Sequence, residues 1–299
     1  MAAARLPHPI PYQGSKRQLA QRILSVLCSS RFDTFYEPFA GSAALAIAAS
    51  AAETAEHFVI GDTLEPLTDL WTRILTTPVA LADEYEHLWA AQLADPAAHY
   101  MKTRGTFNRT GGAAELLYLL ARCVKNAPRF NAGGDFNQSA DHRRLGMRPR
   151  KMRQEITGAA ALLGERTEVT SLDFADTVAE AGSRDLVYMD PPWEGTSKGS
   201  DKRYRDWLTR ERLIEVLEDL NARGVPYILS YDGRHGAKSY GDWLPESIGA
   251  VRLELVAGRS SQATLNGRVV TTIESLYVSR HLAEAPAVSQ QLELLARAA

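Results

Sequence analysis

The chain has 299 residues, of which 45% are hydrophobic and 23% charged, with a formal net charge of −2, an ordinary soluble globular composition. Its longest apolar runs, such as 43–49, are too short and alanine-rich to span a bilayer, and the first seven residues lack the apolar core of a signal peptide. Only Cys28 and Cys123 occur, far apart, so the sequence speaks for a reducing, cytoplasmic setting and against disulfides or thiolate metal sites.

In chain order, Pro11 to Lys16 reads as a loop, with Ser15 as N-cap of an amphipathic helix over 17–29. A strand over 34–36 then runs into Glu37-Pro38-Phe39-Ala40-Gly41-Ser42 and a helix over 43–52. A strand, a tight turn of small residues and a helix bring a ligand close to backbone N–H groups. A second strand, 57–61, ends in Asp62, 21 positions after Gly41. An acid at that separation is placed to accept hydrogen bonds from ribose hydroxyls, or else simply caps the next helix.

From residue 65 to about 163 the pattern turns helical, with helices over 64–75, 79–93 and 113–125 and loops over 103–112 and 126–149. This stretch interrupts an α/β rhythm and reads as an insertion. It is also where charge concentrates. Residues 101–153 hold twelve Lys or Arg against three acids, whereas 53–95 hold nine acids against Arg73 alone. A basic block inside a near-neutral chain is the footprint of phosphate contact. The candidate nucleic-acid contacts are Lys125, Asn126, Arg129, Asn131, Phe136, Asn137, Arg148, Arg150 and Lys151, because Arg and Asn read base edges and aromatics stack on unpaired bases.

The α/β rhythm resumes with a strand over 168–171 leading to Leu172-Asp173-Phe174, followed by the apolar run 185–189. That run delivers Asp190-Pro191-Pro192-Trp193 to its own carboxyl end, where open α/β sheets hold their ligands. The two prolines stiffen the backbone, so a carboxylate, a rigid carbonyl and an indole face are presented together. This set suits a planar base with an exocyclic amine: carboxylate and carbonyl accept its two N–H bonds while the indole stacks on the ring. Residues 197–207 form a polar loop, Thr209 caps a helix over 210–223, strands follow at 225–230 and 251–256, and Asn266-Gly267 marks a hairpin. Residues 286–299 read as a short helix or a loose tail. No His/Cys/carboxylate cluster has metal-ligand spacing, so no metal is expected.

The ordered set YQGSK (12–16), FYEPFAGSAA (35–44), GD (61–62), RFNAGGDFN (129–137), LDF (172–174) and DPPW (190–193) resembles the Dam-like, alpha-group adenine-N6 DNA methyltransferases. The resemblance implies an α/β, Rossmann-like methyltransferase sheet made of 1–64 and 164–299, with 65–163 as an inserted helical target-recognition domain. It implies S-adenosyl-L-methionine as methyl donor, double-stranded DNA as substrate, base flipping, and room for a restriction endonuclease as partner. Carried over by position, Tyr12 and Lys16 lie near the methionine end, Lys16 facing its carboxylate. Glu37, Pro38, Phe39, Ala40 and Gly41 form the cofactor turn, Asp62 holds the ribose, and Asp173 and Phe174 border the cofactor adenine. Asp190, Pro191, Pro192 and Trp193 make the catalytic tetrapeptide. Trp193 stands where the family more often has Tyr, and Gln138 follows Asn137 where a Pro-containing continuation is usual. Two other readings of the residues stay open: an RNA adenine methyltransferase, and a nucleic-acid-binding protein without catalysis.

Overall fold

The computed structural model describes residues 5–192, 208–235, 238–259 and 271–298. Its centre is an eight-stranded sheet. Strands β1 (Phe32–Glu37), β2 (Ala55–Gly61), β3 (Thr167–Thr170), β4 (Leu186–Met189) and β5 (Tyr227–His235) are parallel to one another. Strand β8 (Thr271–Val278) pairs antiparallel with both β5 and β7 (Val251–Arg259), and the short β6 (Lys238–Tyr240) folds back on β5. The sheet order is β3-β2-β1-β4-β5-β8-β7, so the order reverses between β1 and β4. Rossmann-like sheets of this kind open a crevice at that switch point, outside the carboxyl ends of the strands.

Period-2 alternation assigns the two faces of the sheet. Phe35, Phe58, Tyr188, Ile228, Leu276 and Val278 belong to one core; Tyr36, Val187, Met189, Tyr227, Leu229 and Tyr277 belong to the other. The central strand β4 is buried throughout, as a strand covered on both faces must be. On the first face lie α1 (Ala20–Ser25) and α2 (Ala44–Ala51); α2 is buried from Ala44 to Ser50 and built largely of alanine. Such small side chains let its backbone fit between the sheet and the helices beyond. The second face is covered by the short α8 (Phe174–Thr177) and by α9 (Arg210–Ala222), whose cap Thr209 accepts a hydrogen bond from the Arg212 N–H.

Between β2 and β3 run α3 (Glu65–Thr76), α4 (Pro78–Ala91), α5 (Pro96–Thr110), α6 (Ala113–Arg122) and α7 (Pro149–Leu163). Their apolar faces are continuous with the first core of the sheet: Trp71, Tyr85, Tyr100, Leu117 and Ile156 share one cluster with Phe35 and Phe58. Helices α10 (Arg280–Ala283) and α11 (Pro286–Ala298) close the chain, with Val288 and Leu292 buried against the same core.

Several sequence expectations need correction. The loop expected over 103–112 is the second half of α5, which starts at an Asp95 side-chain cap and Pro96 and stops at Gly111 in the left-handed region. Residues with loop-like composition are held helical there because Tyr100, Thr103 and Phe107 point into the core at helical spacing. Helix α7 is an addition to the expected set. The helix expected over 17–29 shortens to Ala20–Ser25 after a 3-10 turn at Lys16–Gln18, and Ser15 makes no cap. Its hydroxyl instead accepts a hydrogen bond from Ser42 Oγ at 2.7 Å. Trp193, the loop 197–207 and Asn266-Gly267 lie outside the described residues, although β7 and β8 do pair as hairpin strands.

Candidate active site

Strand β4 ends at Met189, so Asp190 emerges at the switch point. The Lys16 ammonium lies 2.8 Å from Asp190 Oδ1 and 3.6 Å from Glu274 Oε2, the latter on the interior of β8. It also donates to the Gly14 carbonyl at 3.3 Å. The three charged side chains are 8%, 20% and 14% exposed, in the order Lys16, Asp190, Glu274. Burial pushes both carboxylates above their usual range against the pull of Lys16. Burial also works against the charge of Lys16, yet Asp190 and Glu274 together hold its pKa above the usual lysine value. One cation thus faces two acids. Beneath them the Tyr188 hydroxyl shares a 3.0 Å hydrogen bond with Ser230, kept protonated by burial and by the charge of Asp190.

Across the switch point, the turn after β1 is fixed from every side. Gly41 (φ 48°) and Ala43 (φ 45°) are both left-handed. The positive φ favours glycine at Gly41, whereas a Cβ there would meet the Tyr12 ring at 3.5 Å, an ordinary contact distance. Trp71 Nε1 donates to the Gly41 carbonyl at 3.0 Å, and the Gly41 N–H donates to Asp62 Oδ2 at 3.2 Å. Asp62 Oδ1 accepts from the Leu64 N–H at 3.0 Å, so this acid both braces the turn and starts α3. Helix α2 lacks a side-chain cap of its own. Glu37, at the end of β1, takes that role from below: its Oε2 accepts the Ala46 N–H at 2.7 Å. Burial pushes Glu37 up to about 8, against the backbone hydrogen bonds from Ala46 and Leu45.

A third wall comes from the end of β3. Phe39 and Phe174 stack with ring centroids 5.2 Å apart and planes at 27°. Asp173 caps α8 through the Ala175 N–H, and its two oxygens receive the Arg212 guanidinium at 2.6 and 3.3 Å. The same guanidinium lies 5.4 Å from the Phe174 ring centre. Sequence reasoning missed both Arg212 and Glu274.

These elements follow the carboxyl ends of neighbouring strands of one sheet, where a crevice is expected: a carboxylate after β4, a left-handed small-residue turn after β1 and an aromatic pair. Comparison with known proteins decides what such a crevice belongs to. Residues 12–256 match the family model of the D12 class N6 adenine-specific DNA methyltransferases. The chain belongs to that family. Among curated relatives, the DNA N-6-adenine-methyltransferase of Escherichia phage P1 is 26% identical over 147 residues, 45% of this chain. The match spans only 19% of the phage protein's length. The Retron Ec67 DNA adenine methylase of Escherichia coli is 27% identical over 239 residues, 76% of this chain and 79% of that protein. The Type II methyltransferase M1.LlaDCHI of Lactococcus lactis subsp. cremoris is 22% identical over 284 residues, covering 89% and 94% of the two chains.

The residues of this D12 protein singled out for nucleic acid have mixed settings. Phe130 and Phe136 bridge to close a narrow loop, whose tip is tied by the Asn131 side chain to the Gly133 and Asp135 N–H groups, each at 2.9 Å. The Asn108 side chain holds that loop to α5 by donating to the Phe136 carbonyl and accepting its N–H. Arg129, Asn131 and Asn137 are exposed, as are Lys125, Arg148 and Arg150. Phe136 is the correction: it is 1% exposed and packs edge-on against Phe107 and Phe130, so it shapes the loop and presents no face to a base. Lys151 is engaged by the buried Glu155 at 2.7 Å. Asn126, left-handed like Lys125, accepts the Gln13 N–H through its carbonyl and so joins this region to the loop that carries Lys16. Gln138 is buried and donates to the Ala127 carbonyl, which gives the departure at that position a packing role. Among the described residues no group of His, Cys, Asp or Glu could hold a metal ion, and no helix is long and apolar enough to cross a membrane.

Glu37 sets a pH dependence. Its folded pKa, about 8, lies above its ordinary 4.5, so folding takes up a proton between those values. The stability carried by the protonated form is complete below the lower value and lost as pH rises through the upper one. Glu37→Gln, which mimics the protonated acid, should gain stability relative to wild type between about pH 5 and about pH 8, read as urea midpoints. A constant difference across that range would show that Glu37 is ionised in the folded protein.

Proposed function

We propose that this protein transfers a methyl group from S-adenosylmethionine to the N6 amine of adenine in double-stranded DNA. The observation that carries the reading is Asp190, a carboxylate delivered by β4 to the switch point, directly across from the Gly41 turn. The crevice fits the cofactor on its own chemistry. The Gly41 turn runs left-handed beside the Tyr12 ring, and the half-buried Phe39, backed by Phe174, offers a flat surface for an adenine ring. Asp62 supplies carboxylate oxygens beside the turn for ribose hydroxyls, and two acids against one lysine suit a cationic donor. Tyr12, Lys16, Glu37, Pro38, Phe39, Ala40, Gly41, Asp62, Asp173 and Phe174 would form its site. When bound, S-adenosylmethionine supplies an electrophilic methyl group on sulfur.

The protein's own work is positioning. An adenine amine is a poor nucleophile because its lone pair is delocalised into the ring. Asp190 and the Pro191 carbonyl would accept both N–H bonds, which favours a pyramidal nitrogen with its lone pair aimed at the methyl group. Asp190 then takes the proton that N6 loses, a task helped by the burial that raises its pKa. Pro192 stiffens the segment and Trp193 would stack on the flipped base, an exchange that offsets the few kcal/mol of unstacking. No strong base or metal is needed, since orientation and local charge supply most of the rate. Residues 65–163 would recognise the target, with Arg129 and Asn137 reaching bases from a loop whose tip Asn131 holds, and Lys125, Arg148 and Arg150 meeting phosphates. A cytoplasmic setting and a restriction endonuclease partner belong to the same proposal.

Asp190→Ala should abolish transfer of labelled methyl groups to DNA while leaving calorimetric affinity for S-adenosylmethionine within a few-fold. Loss of cofactor binding would show that Asp190 belongs to the cofactor site, and preferred transfer to RNA would reassign the substrate. Replacing Arg148 and Arg150 by alanine should weaken DNA binding regardless of sequence and flatten its salt dependence by about one slope unit per lost phosphate contact. An unchanged slope would remove both arginines from the interface.

A further inference from the structure

Asp190 has a competitor for its own carboxylate. Lys16 holds Oδ1 at 2.8 Å, the distance of a charge-assisted hydrogen bond, so an amine N–H donated to that oxygen must share its charge with the ammonium. Glu274 offers the same ammonium a second berth. Its Oε2 is buried and stands 3.6 Å from Lys16 Nζ, a longer contact than the one the ammonium makes to Asp190. One ammonium thus bridges two buried carboxylates at unequal distances, and each acid depends on it to offset the cost of burial. A shift of the ammonium toward Glu274 shortens one contact as it lengthens the other.

We propose that Glu274 is a positioning residue that draws the Lys16 ammonium off Asp190 as the target amine arrives. The proposal rests on the methyl-transfer reading above. In the resting site Lys16 neutralises Asp190 and keeps the catalytic carboxylate from standing buried and unpaired. When the amine donates its N–H bonds to Asp190, the ammonium moves to Glu274, so neither acid is left without a partner at either stage. The register supports this division of labour. Glu274 alternates with Leu276 and Val278 on the same face of β8 as the first core, and β8 pairs directly with β5, the neighbour of β4. The charged and titratable groups around Asp190 are Lys16 from the first loop, Glu274 from β8, Glu37 from the end of β1 and Tyr188 from β4. Burial raises the pKa of Glu37 and Tyr188, and that of Glu274 is raised by burial and by the charge of Asp190, so Asp190 and Glu274 are the two acids that share Lys16.

The test measures methyl transfer to DNA from a methylation-free host as a function of pH, for wild type, Glu274→Gln and Glu274→Asp, with melting curves and cofactor calorimetry on each protein. In Glu274→Gln the ammonium stays on Asp190, so kcat should fall on the order of tenfold while KM for DNA changes less than about twofold. The acid limb of kcat should also move to lower pH, because removing the second negative charge eases ionisation of Asp190. Glu274→Asp should restore most of the rate. An unchanged kcat overturns the proposal, and so does a lower kcat whose acid limb stays in place and which Glu274→Asp fails to restore. Wild-type protein that binds S-adenosylmethionine but methylates no DNA would defeat the methyl-transfer reading itself, and this proposal with it.

Discussion

The contact between Lys16 and Asp190 is the constraint around which the rest of the structure is arranged. A buried ammonium and a buried carboxylate are tolerated only as partners, and they come from chain segments 174 residues apart. Holding them at 2.8 Å requires the first loop, the end of β4 and the interior of β8 to meet at one point. The first loop is accordingly tied at both flanks. Gln13 donates its N–H to the Asn126 carbonyl, Ser15 receives the Ser42 hydroxyl, and the Tyr12 ring lies over Gly41.

The same economy of contacts governs the turn after β1. Its left-handed residues would be loose if left to themselves, since each has forsaken the usual backbone region. Trp71 from α3 and Asp62 from β2 bind the two polar groups of Gly41, while Glu37 satisfies an N–H of α2 from beneath. Because Trp71 belongs to the helical segment and to the sheet's core at once, the helices that carry the basic surface and the crevice are mechanically joined.

What the sequence made legible follows from where each signal lives. Asp190, Gly41 and Asp62 stand at strand ends, where short-range pattern and turn chemistry mark a position, and the structure has them at the ends of β4, β1 and β2. The parallel core strands and α2 were readable for the same reason. Glu274 was not, because a glutamate between Ile273 and Ser275 reads as one more solvent-facing position in a hairpin strand, and only the sheet order brings it to Lys16. Arg212 was hidden likewise, as an ordinary first-turn charge of α9 until α8 is placed beside it. Helix α5 was masked by Gly105, Thr106 and Asn108, whose weak helical preference is overridden by packing of Tyr100 and Phe107. Phe136 misled in the opposite direction: an aromatic in a polar loop suggests stacking on a base, yet three phenylalanines found each other first.

The proposed methylation of adenine in DNA leaves a mark that can be read in a genome. The most direct measurement is single-molecule sequencing of the genome of a methylation-free host expressing the protein. N6-methyladenine at a defined sequence motif, absent when Asp190→Ala is expressed instead, is the predicted result. Unmodified DNA from cells whose purified protein is folded and binds S-adenosylmethionine would contradict it.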